Sequence, residues 1–112
     1  MNIAEHKIGN YLVLEILESR LGADKATAFK EAVGLHIADG PVSLILDLAK
    51  VNFIDSSGLG AILGVLKRMP KGGDIAICGI TKPVSNMFKL TRMDRVFTLC
   101  ATVEDAVSAL SH

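Results

Sequence analysis

A chain of 112 residues, half of them hydrophobic, has the size of one domain and enough apolar side chain to bury a core without disulfides or a structural metal. Twelve basic and twelve acidic residues give zero net charge, which excludes a global field that recruits nucleic acid or an anionic membrane. With four Phe, one Tyr and no Trp the core is expected to be aliphatic, and area scaling gives about 6,000 Å² of accessible surface when folded.

Ile3 to Ile8 and Tyr11 to Leu17 read as two strands joined by Gly9-Asn10, a hairpin signal because Gly accepts the positive φ of the turn. From Asp24 to about Ala38 the apolar positions Ala26, Phe29, Val33 and Ile37 keep the spacing of an amphipathic helix, which Gly40-Pro41 ends. Val42 to Leu48 is nearly all apolar, the pattern of a strand covered on both faces. Leu59, Ile62, Leu63, Leu66 and Met69 again have helical spacing, and Gly60 and Gly64 predict close packing of that helix on a sheet.

Pro70 and Gly72-Gly73 break the chain before a buried strand at Ile75 to Gly79. Pro83 fits the first turn of a helix carrying Val84, Met87 and Phe88. Val96 to Cys100 reads as the last strand. Thr102-Val103-Glu104-Asp105 then fits a capping box ahead of Val103, Ala106, Val107 and Leu110 on one helical face. The order ββαβαβαβα, with short connections after the hairpin, predicts a single α/β domain: a mixed, mostly parallel sheet flanked by helices.

Charge is uneven along this chain. Residues 1–49 carry four basic and seven acidic groups, and residues 50–112 carry eight and five. Lys67, Arg68 and Lys71 form one cationic group and Lys89, Arg92 and Arg95 another, each a solvated face or a fit for an acidic protein surface. Cys78 and Cys100 end apolar runs without a partner motif, as buried free thiols do in a reducing compartment. The N-terminus has no apolar signal segment, and the longest apolar stretch, Leu59 to Leu66, is too short to span a bilayer. A soluble, cytoplasmic protein without membrane insertion is the expectation, as a monomer or weak dimer.

Ile54-Asp55-Ser56-Ser57-Gly58-Leu59-Gly60 lies between a strand-like and a helix-like run. Ser and Asp are favoured helix caps, and the unpaired N–H groups of a helix start also hold anions, so a phosphorylated serine would sit where negative charge is tolerated. Asp55 is placed to hydrogen-bond backbone two residues on, as in an Asx-turn. Leu46-Asp47-Leu48, then Val51 to Gly60, and later Leu90 to Phe97 followed by Glu104-Asp105-Ala106, resemble the STAS family of anti-sigma-factor antagonists over almost the whole chain, residues 1–112.

That resemblance implies that Ser57 accepts phosphate from a partner that is both anti-sigma factor and serine kinase, with Asp55, Ser56 and Gly58 supporting the site. The exposed side of the following helix, here Leu59 and Gly60, would take part in partner binding. The unmodified chain would bind the kinase and free its client, the phosphorylated chain would let go, and a serine phosphatase would reset it. ATP and magnesium would belong to the kinase, so no cofactor is assigned. One departure stands out: Gly22, in Arg20-Leu21-Gly22-Ala23-Asp24, occupies the place of an acidic residue common in the family, and Asp24 reads as a helix cap.

Other functions fit less well. A constitutive regulatory subunit of a transporter, of the lipid-transport ATPase type, uses the same domain without a phosphate cycle. A serine hydrolase would want Gly-x-Ser-x-Gly and a histidine base, and neither His6, His36 nor His112 has a sequence relation to Ser57, so no catalytic residue is assigned. Asp47 and Asp55 are too few oxygen ligands for a metal site, and Asp47 is expected to stabilise the loop that presents the serine.

Overall fold

The computed structural model describes residues 1–38, 43–70 and 73–111, so the expected helix stop at Gly40-Pro41, and Val42, Lys71, Gly72 and His112, lie outside the described residues. Its elements are β1 (Ile3–Ile8), β2 (Tyr11–Ile16), β3 (Arg20–Leu21), α1 (Ala26–Ile37), β4 (Ser43–Asp47), β5 (Phe53–Ile54), α2 (Ser56–Arg68), β6 (Asp74–Cys78), α3 (Lys82–Leu90), a 3-10 turn (Met93–Arg95), β7 (Thr98–Cys100) and α4 (Val103–Leu110). Five strands form one sheet in the order β1-β2-β4-β6-β7, antiparallel at the β1–β2 hairpin and parallel elsewhere. Gly9, with φ +57°, makes the hairpin turn as expected.

Alternation along the strands divides the core. Leu12, Leu14 and Ile16 of β2, Leu44 and Leu46 of β4, and Ile75 and Ile77 of β6 face the helices α1, α2 and α3. Val13, Ile45, Ala76 and Cys78 face α4 alone, through Ala106. The accessible surface, 5979 Å², matches the area expected from mass.

Three local expectations change. Two-residue strands β3 and β5 pair in parallel, Arg20 with Phe53 and Leu21 with Ile54, a ladder too short to leave a periodic signal. Lys25, not Asp24, is the residue before α1, and its side chain makes no capping bond. Val96 and Phe97 precede the last strand: Phe97 turns inward to meet Phe88 edge-on, ring centroids 6.0 Å apart, while Val96 stays half exposed.

Two of the three glycines of α2, Gly60 and Gly64, do not pack on the sheet. A Cβ on Gly64 would come 3.0 Å from Cε of Lys30 on α1, and one on Gly60 would meet nothing within 4 Å. At α4 the capping box forms on one side, Thr102 Oγ1 accepting the Asp105 N–H at 3.0 Å. Cys78 is buried and Cys100 half-buried, and burial pushes the Cys78 thiol up to about 12, so it stays protonated.

Because β2, β4, β6 and β7 run parallel, each connecting helix starts at the end where strands finish and stops where they begin. The start of α2 and the loops before α1 and α3 therefore share one end of the domain. Ser57 lies at that end, and the last turns of α1, α2 and α3 lie at the other.

Candidate functional site

Asp55 caps α2 from an extended conformation. Its Oδ1 accepts the Gly58 N–H at 2.9 Å, three residues on, and its Oδ2 accepts the Ala23 N–H at 3.1 Å. One carboxylate thus ties the start of α2 to the loop before α1, across 32 residues of sequence. The Gly58 N–H above all, helped by those of Ala23 and Ser57, holds the Asp55 carboxyl below its ordinary range.

Asp55 thereby takes up part of the anion-holding capacity of this helix start. Of the N–H groups expected to be open to an anion, the protein's own carboxylate takes that of Gly58, and the Ser56 and Ser57 side chains are exposed beside it.

Gly58 is needed for space. A Cβ there would lie 2.0 Å from the Leu21 carbonyl oxygen and 2.8 Å from Cγ1 of Ile54, so only a glycine lets α2 start against the β3–β5 ladder. Leu59 corrects another expectation. It is 3% exposed and packs in the core, because the first turn of α2 points this position at the sheet, so the exposed residues at the start of the helix are Ser56, Ser57 and Gly60.

The departure at Gly22 has a geometric reason. A Cβ at this position would come 3.1 Å from Oδ2 of Asp55 and 3.5 Å from Oδ1 of Asp24. A carboxylate at position 22 would crowd the carboxylates of Asp55 and Asp24.

Neighbouring contacts stiffen this end. Asp47 Oδ1 accepts the Ala49 N–H at 3.0 Å, which steadies the chain leaving β4, as expected for this residue. Thr81 Oγ1 donates to the Val51 carbonyl at 2.8 Å and so fastens the start of α3 to the same loop. Glu18 pairs with Lys25 at 2.5 Å and accepts the Asn2 N–H at 2.8 Å, bonds that lower its pKa, the one from Lys25 most.

Sequence reasoning missed the Arg20–Phe53 stack, in which the guanidinium lies 4.1 Å from the ring centroid of a partly exposed Phe53. No signal marks Arg20, since its partner is set by the β3–β5 pairing. The histidines are not at the site. His36 engages Glu5 at 2.5 Å at the far end of α1, and His6 lies exposed on the edge strand β1.

Acid should loosen this end. Asp55 and Glu18 have lowered carboxyl pKa values in the folded chain, so their stabilisation is present above the unfolded values and disappears as pH falls below about 4. The denaturation midpoint of Asp55→Asn is expected to lie below that of wild type at neutral pH, with the gap closing in acid, as a urea titration at stepped pH would show.

The sequence profile of the STAS domain family matches residues 3–106. Among curated proteins, the anti-sigma F factor antagonist of Paenibacillus polymyxa is 38% identical over 70 residues, 62% of this chain and 57% of that protein. The anti-sigma-F factor antagonist RsfB of Mycobacterium tuberculosis is 27% identical over 85 residues, 76% of this chain and 70% of its own length. Among solved structures, an anti-sigma factor antagonist from Mycobacterium paratuberculosis superposes with a TM-score of 0.89, covering 99% of this chain and 94% of that one, at 23% identity, a likeness of fold. Among the described residues no helix is long and apolar enough to cross a membrane. An α/β sheet with three helices on one face and one on the other, an Asp-Ser-Ser-Gly turn opening α2 and a profile match along nearly its whole length make this chain a member of the STAS domain family.

Proposed function

We propose that this chain is an anti-sigma-factor antagonist switched by phosphorylation of Ser57. The observation that carries the reading is an exposed serine pair on a helix start that Asp55 caps through the Gly58 N–H and ties to the loop before α1. Added phosphate would bring about −1.5 to −2 charges to the surface instead of being absorbed by the fold. The unphosphorylated chain binds a serine kinase that is also an anti-sigma factor and frees its client. Phosphorylation then separates the two by charge and bulk at the contact, and a serine phosphatase restores binding. The reading gives this chain no catalytic step of its own, and Ser56 acts as the first helical residue beside the acceptor.

Pull-down from native lysate with wild type, Ser57→Ala and Ser57→Asp tests this. An ATPase retained by wild type and Ser57→Ala but lost with Ser57→Asp, together with phosphopeptides mapping to Ser57, supports the switch. One partner held equally by all three refutes it and fits a constitutive subunit. Modification confined to Ser56 would move the acceptor by one residue.

Gly60 offers an independent check. Glycine inside a helix costs about 0.5–1 kcal/mol relative to alanine, and here a Cβ would touch nothing. Gly60→Ala should therefore raise the stability of the free domain by about that amount. If the partner closes over this turn of α2, the same methyl group weakens binding, which calorimetry on domain and complex would separate.

A further inference from the structure

We infer that the turn from Leu90 to Val96 is a docking surface for an acidic, apolar-edged protein surface, at the end of the domain opposite Ser57. Arg92 has φ +62° and ψ +19°, the only non-glycine residue with positive φ among those described. It follows the last residues of α3, where its N–H donates to the Lys89 carbonyl at 3.1 Å, a place that glycine fills without steric cost. An exposed arginine held there works against stability, and a rule broken at the surface without local compensation points to a use for the side chain.

Its surroundings agree. Leu90 is 80% exposed and Val96 50%, so two large apolar side chains stand in water within one short turn. Lys89, Arg92 and Arg95, all exposed, stand within two residues of one or the other, and among the described residues none of the three enters an ion pair. Three cations to one carboxylate, Asp94, leave the turn positive and fix the charge of what would cover it.

Asp94 favours protein over lipid, because a patterned surface can meet both signs whereas an anionic membrane presents one. The turn is also rigid before binding. Thr91 Oγ1 donates to the Met87 carbonyl at 2.7 Å, the Arg95 N–H to Arg92 at 3.2 Å, and the Val96 N–H to Met93 at 3.0 Å, so little ordering is left for a partner to impose. Lying where α3 ends rather than where α2 starts, it can hold a partner whatever the state of Ser57. It therefore goes beyond the switch and does not rest on it.

Arg92→Gly is the informative variant, because it removes the side chain while relieving the backbone. Wild type, Ser57→Asp, Arg92→Gly and Leu90→Ser serve as baits in native lysate, and the retained protein is then purified and titrated against each at low and high salt. An acidic protein is expected to bind wild type and Ser57→Asp alike, to bind Arg92→Gly about tenfold or more weakly, and to weaken with salt. The thermal midpoint of Arg92→Gly should be at or above that of wild type, which separates lost binding from lost folding. Equal affinity of wild type and Arg92→Gly, or no protein whose retention depends on Arg92, overturns the inference. So does Arg92-dependent binding to phosphatidylglycerol vesicles without any protein, which would make the surface a lipid contact. A kinase lost only with Ser57→Asp bears on the switch alone.

Discussion

Ser57→Asp is expected to weaken binding of the proposed kinase partner by a factor between about five and a thousand, while Ser57→Ala binds as wild type does. The range follows from where the charge sits. Against one partner carboxylate at about 4 Å, repulsion is roughly 1 kcal/mol in bulk water and about 4 kcal/mol near a protein surface. A contact at the rim gives the small effect and a desolvated contact at the centre the large one. True phosphate, with nearly twice the charge, should exceed the aspartate in either case.

The domain itself should not unfold. Negative charge near a helix N-terminus is favourable by about 0.3–1 kcal/mol, and the nearby Asp55 carboxylate opposes part of that gain. Isothermal titration of the purified kinase with the three forms measures the affinity, and circular dichroism of each free form checks the fold. Equal affinity of Ser57→Asp and wild type would mean that Ser57 does not face the partner.

Gly58→Ala is expected to destabilise the domain by about 3 kcal/mol or more, a large share of the stability of a chain this size. The added methyl would overlap the Leu21 carbonyl oxygen at 2.0 Å, and backbone has no rotamer to escape through. Relief requires α2 to pull away from β3, which strains the Asp55 bonds to Gly58 and Ala23 and moves Ser57 with them. Urea denaturation would register the loss, and Gly60→Ala, two residues on with an opposite expected sign, controls for the general effect of alanine in this helix. A change below about 1 kcal/mol for Gly58→Ala would show that the β3–β5 ladder yields easily.

The candidate site was legible in part. Asp55, Ser56 and Ser57 stand at a strand-to-helix junction that composition and periodicity both mark, and their exposure follows from the capping role. Leu59 was misplaced because a residue two places after Ser57 is not thereby on its face: the helical angle turns it inward. Gly22 looked like a gap until Asp55 and Asp24 were found around it. Arg20 carried no signal, since its stack on Phe53 depends on a pairing of only two residues per strand.

By itself the sequence determined the order of the longer strands and helices and the helix start at Asp55-Ser56, because side-chain period and capping chemistry act over a few residues and are written in the local pattern. Tertiary structure alone decided which N–H groups the Asp55 carboxylate takes, why Gly58 has no side chain, where Leu59 points and why Arg92 sits in a left-handed conformation. Each of these depends on segments distant in sequence meeting within a few ångströms, or on a backbone angle imposed where a helix must stop. No local periodicity encodes either.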